Sequence, residues 1–363
     1  LPIAGADPDG TILGAMTGGQ DAVLEHAWAL SAWYGLASRE PGYAASYLGS
    51  WSWPQVDLSS SRVVEAARVG RGLRAVWTPL DAGVGFTFTR LEWSAVVRLG
   101  WNGTFRDVLG VEGTATQPEE LRTEDGFGSE VTLRAAWSSA RRYVRSISPE
   151  EGRTLSLTAG VSAKELGSDY ALLRARGAVT QYLRLPFTRH AVLALRVAGG
   201  AADGSLGTSA PFALGGPAQP DPASLLLGPA ASPDQLRGYP LEWLEGTGFA
   251  LANAELRFPI AAPERGYSTW PVFLRRIHGA VFADLGDAFD LPGTLPFAGH
   301  RFRWDELRLG AGAELRLELA LGYALLTDLR LGVAHAFGRP FRGEAEEPGV
   351  AAVTGYAVLG GSF

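Results

Sequence analysis

The chain has 363 residues with 32 Lys+Arg, 38 Asp+Glu and a formal charge of -6, so it offers no electrostatic reason to bind nucleic acid, which attracts basic surfaces. With no Cys it can hold neither a disulfide nor a thiolate metal site, and it has no thiol nucleophile. Mean hydropathy is only +0.04 and no stretch approaches the roughly 18 to 20 apolar residues of a membrane-spanning helix. Yet 47 Gly, 16 Phe, 11 Trp and 10 Tyr suit one membrane class, the transmembrane β-barrel, whose strands hide apolar residues by alternation. No basic segment followed by an apolar core opens the chain at Leu1, so any signal peptide is expected to have been removed.

In chain order the pattern predicts strands near 10–18, 24–37, 42–53, 55–66, 70–80, 88–102, 129–145, 152–164, 168–184, 187–200, 247–260, 277–286, 305–319, 322–337 and 352–363. In the run near 88–102, Leu91, Trp93, Ala95, Val97 and Leu99 oppose Arg90, Glu92, Ser94 and Arg98. The clearest alternation places Leu307, Leu309, Ala311, Ala313, Leu315, Leu317 and Leu319 on one face and Arg308, Glu314, Arg316, Glu318 and glycines on the other. A helix would scatter those charges around every side, whereas a strand separates them. In the next strand Thr327 and His335 interrupt an otherwise apolar face. Fifteen runs are one short of an even number, and single-chain bacterial barrels have even strand counts. Sixteen antiparallel strands are therefore expected in preference to fourteen, the missing one within the poorly defined first 23 or so residues or just before Leu1. A soluble β-sandwich is the alternative architecture.

The connections alternate in length. Residues 147–152 and 185–189 read as short turns, 102–126 and 201–246 as long loops. Seven prolines, at 211, 217, 220, 222, 229, 233 and 240, forbid regular structure through most of the last, and a loop of that length is usually functional or disordered.

Three motifs follow one another near the C-terminal end: Arg237, Gly238 and Tyr239 in the long loop; Glu255, Leu256, Arg257, Phe258 and Pro259 on the next strand; and Phe282, Ala283, Asp284, Leu285 and Gly286 on the strand after it. Gly215 and Gly216 precede the loop tip, and Gly360 and Phe363 close the chain. In order and spacing this resembles the BamA-like superfamily of outer-membrane assembly factors and two-partner-secretion transporters, also called the bacterial surface antigen family. The detailed likeness covers roughly residues 187–363; the first half shares only the general barrel pattern. Gly361 departs from the apolar or aromatic residue usual near a barrel's end.

The resemblance implies one barrel domain over 1–363 in the outer membrane of a Gram-negative bacterium, with loop 201–246 folded into the lumen. It implies a loop lock of Arg237, Gly238, Tyr239, Glu255, Phe282, Asp284 and Gly286, and a C-terminal barrel signal at Gly360 and Phe363. It further implies polypeptide substrates, accessory subunits, a periplasmic domain missing upstream, and insertion or translocation of polypeptides without covalent chemistry or a cofactor. The residues alone make the lock reasonable. Glu255, Arg257 and Asp284 belong in the lumen, because a charge facing lipid costs several kcal/mol. A planar guanidinium at Arg237 could then engage carboxylates in bidentate fashion.

The five histidines, at 26, 190, 278, 300 and 335, form no i, i+2 or i, i+4 pair, and no HExxH, GxSxG, GxxxxGK[ST] or GxGxxG is present. No metal or catalytic residue is therefore assigned. Trp28, Trp51, Trp53, Trp77, Trp93, Trp101 and Trp137 read as an interfacial aromatic girdle rather than a sugar platform. A passive porin or lipid-handling barrel plugged by its loop, and a hydrolase with its site on the rim, are the competing functional readings.

Overall fold

The computed structural model describes the whole chain except residues 1, 8–9, 52, 67–72, 110–125, 187–188, 205–209, 218–233, 267, 295, 322–324, 345, 347–348 and 361–363. Among the described residues sixteen main strands run up and down in chain order: β1 (Pro2–Asp7), β2 (Gly10–Gln20), β3 (His26–Gly35), β4 (Pro41–Gly49), β5 (Gln55–Ala66), β6 (Leu73–Thr89), β7 (Ser94–Leu109), β8 (Gly126–Ser138), β9 (Gly152–Ser162), β10 (Leu172–Arg184), β11 (Val192–Gly204), β14 (Gly248–Ala261), β16 (Val272–Phe289), β17 (Arg308–Leu321), β18 (Leu325–Ala336) and β19 (Val353–Gly360). Between β11 and β14 lie two short strands, β12 (Phe212–Leu214) and β13 (Leu244–Gly246), which pair with each other; β15 (Arg265–Gly266) sits before β16. Each main strand is antiparallel to the next, from β1–β2 through β18–β19. This is the up-and-down ladder of a sixteen-stranded transmembrane barrel.

The strand that the pattern leaves out is β1, only 6 residues long and antiparallel to β2. Its Ala and Gly carry almost no alternation to read. Several boundaries also differ from expectation; β6, for one, runs to Thr89 rather than ending near 80. Strand β7 begins at Ser94, so Leu91 and Trp93 lie in a turn that continues the alternation by chance; it then runs on to Leu109, shortening the predicted 102–126 loop to residues 110–125, which lie outside the described residues. The 147–152 turn is in fact the longer segment 139–151 between β8 and β9. The 201–246 loop starts after Gly204 and carries the β12–β13 ladder, because its prolines at 211, 217 and 240 flank those short strands rather than interrupt them.

Long connections such as 205–247 and 290–307 gather at one end of the barrel, the loop end; the turns 90–93, 139–151 and 185–191 gather at the other, the turn end, with the N-terminal side of β1 and the C-terminal side of β19. The faces separate as the period of two requires. Leu99, Val281, Leu315, Leu331 and Val333 are exposed on the outside, whereas Asp284, Glu255, Glu314 and Arg316, on the opposite face, are buried. Apolar residues exposed all round a barrel are stable only against hydrocarbon. Trp28, Trp51, Trp53, Trp93 and Trp137 all lie at the turn end, where amphipathic rings mark a membrane boundary.

Val281 sits mid-strand in β16 and is half exposed on this outer face. Val281→Arg should therefore lower the unfolding free energy in lipid vesicles by about 2–4 kcal/mol in denaturant titration. An unchanged midpoint would contradict the outward assignment.

Candidate functional site

The loop between β11 and β14 returns into the lumen and places its tip against β14, β16 and β17. The Arg237 guanidinium meets Asp284 side-on, with Nε donating to Oδ2 at 2.7 Å and Nη2 to Oδ1 at 2.8 Å; the Arg237 backbone N–H donates to the same Oδ2 at 3.1 Å. Its Nη1 donates to Glu255 at 3.1 Å and to Glu314 at 3.2 Å. One face of the guanidinium stacks on the Phe282 ring, 3.5 Å from the ring centre. Arg237 and its three carboxylates are all buried. A lone buried carboxylate or guanidinium is costly, so the group is compatible only as a set.

Local structure explains the close seating. Gly238 has φ of +102°, a conformation that a side chain would strain, and a Cβ there would come within 3.1 Å of the His335 carbonyl. Gly310 of β17 leaves the space into which the Arg237 carbonyl settles; any Cβ there would overlap it. Tyr239 is buried among Leu214, Leu236, Phe249 and Leu251, and its hydroxyl donates to the Leu309 and Gly338 carbonyls at 3.2 and 3.3 Å. Leu236 N–H donates to the Gly215 carbonyl at 2.7 Å, which fastens the incoming and outgoing arms of the loop together.

The structure thus brings Arg237, Gly238, Tyr239, Glu255, Phe282 and Asp284 into one cluster. Gly286 is buried one step toward the loop end, where a Cβ would come within 2.8 Å of Leu251. Gly360 is the last residue of β19, paired with Asp328, away from the cluster; Phe363 lies outside the described residues. Sequence reasoning did not place Glu314, Arg316, Tyr356 or Asn253 in the site. Arg316 bridges Glu255 and Glu314, Tyr356 Oη donates to Glu314 at 2.6 Å, and Asn253 Nδ2 donates to Asp284 at 2.8 Å. Alternation had already put Glu314 and Arg316 on the charged face of their strand; nothing in the local sequence marks Tyr356.

A second segment folds inward at the turn end. Residues Ser146, Ile147, Ser148 and Glu150 are buried while Arg141 to Arg145 face outward. Arg276 of β16 reaches across to donate to the Ser146 carbonyl and, at 3.1 Å, to the Val144 carbonyl. Glu150 accepts from Ser146 Oγ at 2.6 Å and contacts His190 Nδ1 of the β10–β11 turn at 2.6 Å. The lumen therefore carries a docked loop at one end and a cap at the other.

Fold and site together define a transmembrane barrel whose long loop is tethered inside its lumen by an arginine. Residues 80–327 match the Omp85 superfamily domain, about two-thirds of the chain, and the protein belongs to that superfamily. Among solved structures it is similar to BamA from Haemophilus ducreyi lacking POTRA domains 1–3, at 15% identity and a TM-score of 0.60, covering 99% of this chain and 68% of that one. It is also similar to CdiB from Acinetobacter baumannii (12% identity, TM-score 0.55, 98% of this chain and 57% of that one). CdiB from Escherichia coli gives 12% identity and a TM-score of 0.59 over 98% of this chain and 62% of that one. The chain thus spans less than two-thirds of the length of either CdiB. Comparison with curated protein sequences gave no match.

Gly310→Val should keep the barrel but unseat the loop tip. Overpacking of this kind costs about 1–3 kcal/mol, so limited proteolysis between Gly215 and Leu236 should accelerate roughly five- to hundredfold while heat-modifiable gel migration is retained. Unchanged cleavage would contradict the close approach.

Proposed function

We propose that the protein acts at the bacterial outer membrane, inserting polypeptides into it or passing them across it, with Arg237, Gly238 and Tyr239 as the lock that holds the resting lumen closed. The observation that supports this most strongly is the Arg237 tip seated on Asp284, Glu255 and Glu314 in a barrel of this superfamily. On this reading residues 1–363 are one barrel domain, the loop end faces outward, the turn end faces the periplasm, and polypeptide substrates arrive there with the help of a periplasmic domain or accessory subunits.

The first and last strands are short, with 6 and 8 described residues in β1 and β19, so few ladder bonds would hold a seam between them. A substrate strand could pair with such an edge by β-augmentation. A passive pore fits less well, because the docked loop and the 139–151 cap both occupy the lumen.

The protein is read as a non-enzyme. His300 contacts Asp287 through Nε2 and the Ala298 carbonyl through Nδ1, so neither nitrogen is left for a nucleophile. Ser146 and His190 both turn to Glu150 rather than to each other.

Deletion of the gene in its native host should reduce the amount of folded outer-membrane or secreted proteins, measured by quantitative proteomics of the isolated outer membrane and the medium. The wild-type gene should restore them and Arg237→Ala should not. Unaltered protein inventories combined with steady solute conductance of the purified barrel would instead establish the pore reading.

A further inference from the structure

Beneath the seated loop tip, toward the turn end, the lumen holds a partly open chamber of about 250 Å³. Of its fifteen lining residues six are arginines, Arg176, Arg196, Arg237, Arg257, Arg316 and Arg330, and one, Glu255, is acidic. The other lining residues are neutral, and several of them, Thr154 and Ser156 among them, carry hydroxyl or amide donors.

The carboxylates around the chamber are shared. Asp234 lies 2.6 Å from both Arg176 and Arg196, and Glu255 contacts Arg237, Arg257 and Arg316. Arg316 and Arg330 stand directly opposite each other on β17 and β18, both toward the lumen. Like charges paired across strands destabilise a sheet, and low-dielectric walls concentrate the field of one sign of charge. Asp234 belongs to the docked loop, so Arg176 and Arg196 also hold it in place, whereas Arg237 reaches its carboxylates without Arg257 or Arg330.

We propose that this chamber is an anion-binding site for a small phosphate-class ligand, held by guanidinium groups of β10, β11, β14, β17 and β18. Planar guanidinium groups match phosphate oxygens in bidentate fashion, and converging walls offer several at once. The strands separate the chamber from the hydrocarbon, so the phosphate belongs to a dissolved ion and not to a lipid headgroup.

The test is equilibrium dialysis of the purified, folded barrel in zwitterionic detergent with radiolabelled pyrophosphate. Saturable binding near one per barrel is expected, displaced by unlabelled inorganic phosphate but not by an equal concentration of short-chain phosphatidylglycerol. Arg257→Gln and Arg330→Gln should each weaken it at least fivefold, while Arg303→Gln, on the exposed 290–307 loop, should leave it unchanged. Heat-modifiable migration verifies that each variant is folded; should either lumen variant fail this check, Arg196→Gln replaces it. No saturable binding, equal binding by the lumen variants, or equal displacement by phosphatidylglycerol would overturn the proposal.

Discussion

The buried guanidinium of Arg237 is the interaction on which the interior arrangement depends. It answers three carboxylates contributed by three different strands, Glu255 from β14, Asp284 from β16 and Glu314 from β17. Those carboxylates stand close together on the lumen side of adjacent strands and would repel one another without a cation among them. Arg316 supplies a second cation to two of them, but only Arg237 engages Asp284 in bidentate fashion and carries the loop with it. An ion set of this kind adds little net stability to a barrel already held by its ladder, because desolvation offsets the Coulomb gain. What it adds is specificity: one position for one loop, given by a fork of donors and an aromatic platform.

The barrel makes that position available. Apart from the register shifts near the turn end, alternation sends every second side chain of β14, β16 and β17 inward, so three charged strands in succession create a polar wall. The same alternation sends Val281, Leu315 and Val333 outward. Glycine at 310 then opens a notch in the wall wide enough for backbone, and Gly238 gives the loop a tip narrow enough to enter it. Tyr239 completes the fit by anchoring the far side of the tip in an apolar cluster. The 139–151 cap solves a different problem at the turn end with a similar device, an arginine from the wall, Arg276, donating to the carbonyls of an inserted segment.

Much of this was legible in the sequence because a period of two survives any detail of packing. Residues 307–319 spelled out a strand and its faces, and the ordered motifs at Arg237, Glu255 and Asp284 pointed to one site. Less legible were features set by shape. Strand β1 is too short and too rich in Ala and Gly to show a pattern; Leu91 and Trp93 alternate in phase with a strand they do not belong to. The inward fold of 139–151 rests on contacts to Arg276 and His190, well over a hundred and about forty residues away from their partners, and no local signal could announce it. Tyr356 joins the network because strand register sets it opposite Gly332 of β18, which in turn faces Glu314, and the missing side chain at 332 lets the ring cross between them.

The most direct measurement of the central claim is a double-mutant cycle between Arg237 and Asp284, read from amide exchange at Leu236, whose N–H is bonded to the Gly215 carbonyl in the docked loop. With the ion set holding the loop, Arg237→Ala and Asp284→Ala should each lower the local opening free energy by about 3–5 kcal/mol, and the double variant should add little to either. Additive losses, or single losses below about 0.5 kcal/mol, would contradict the account.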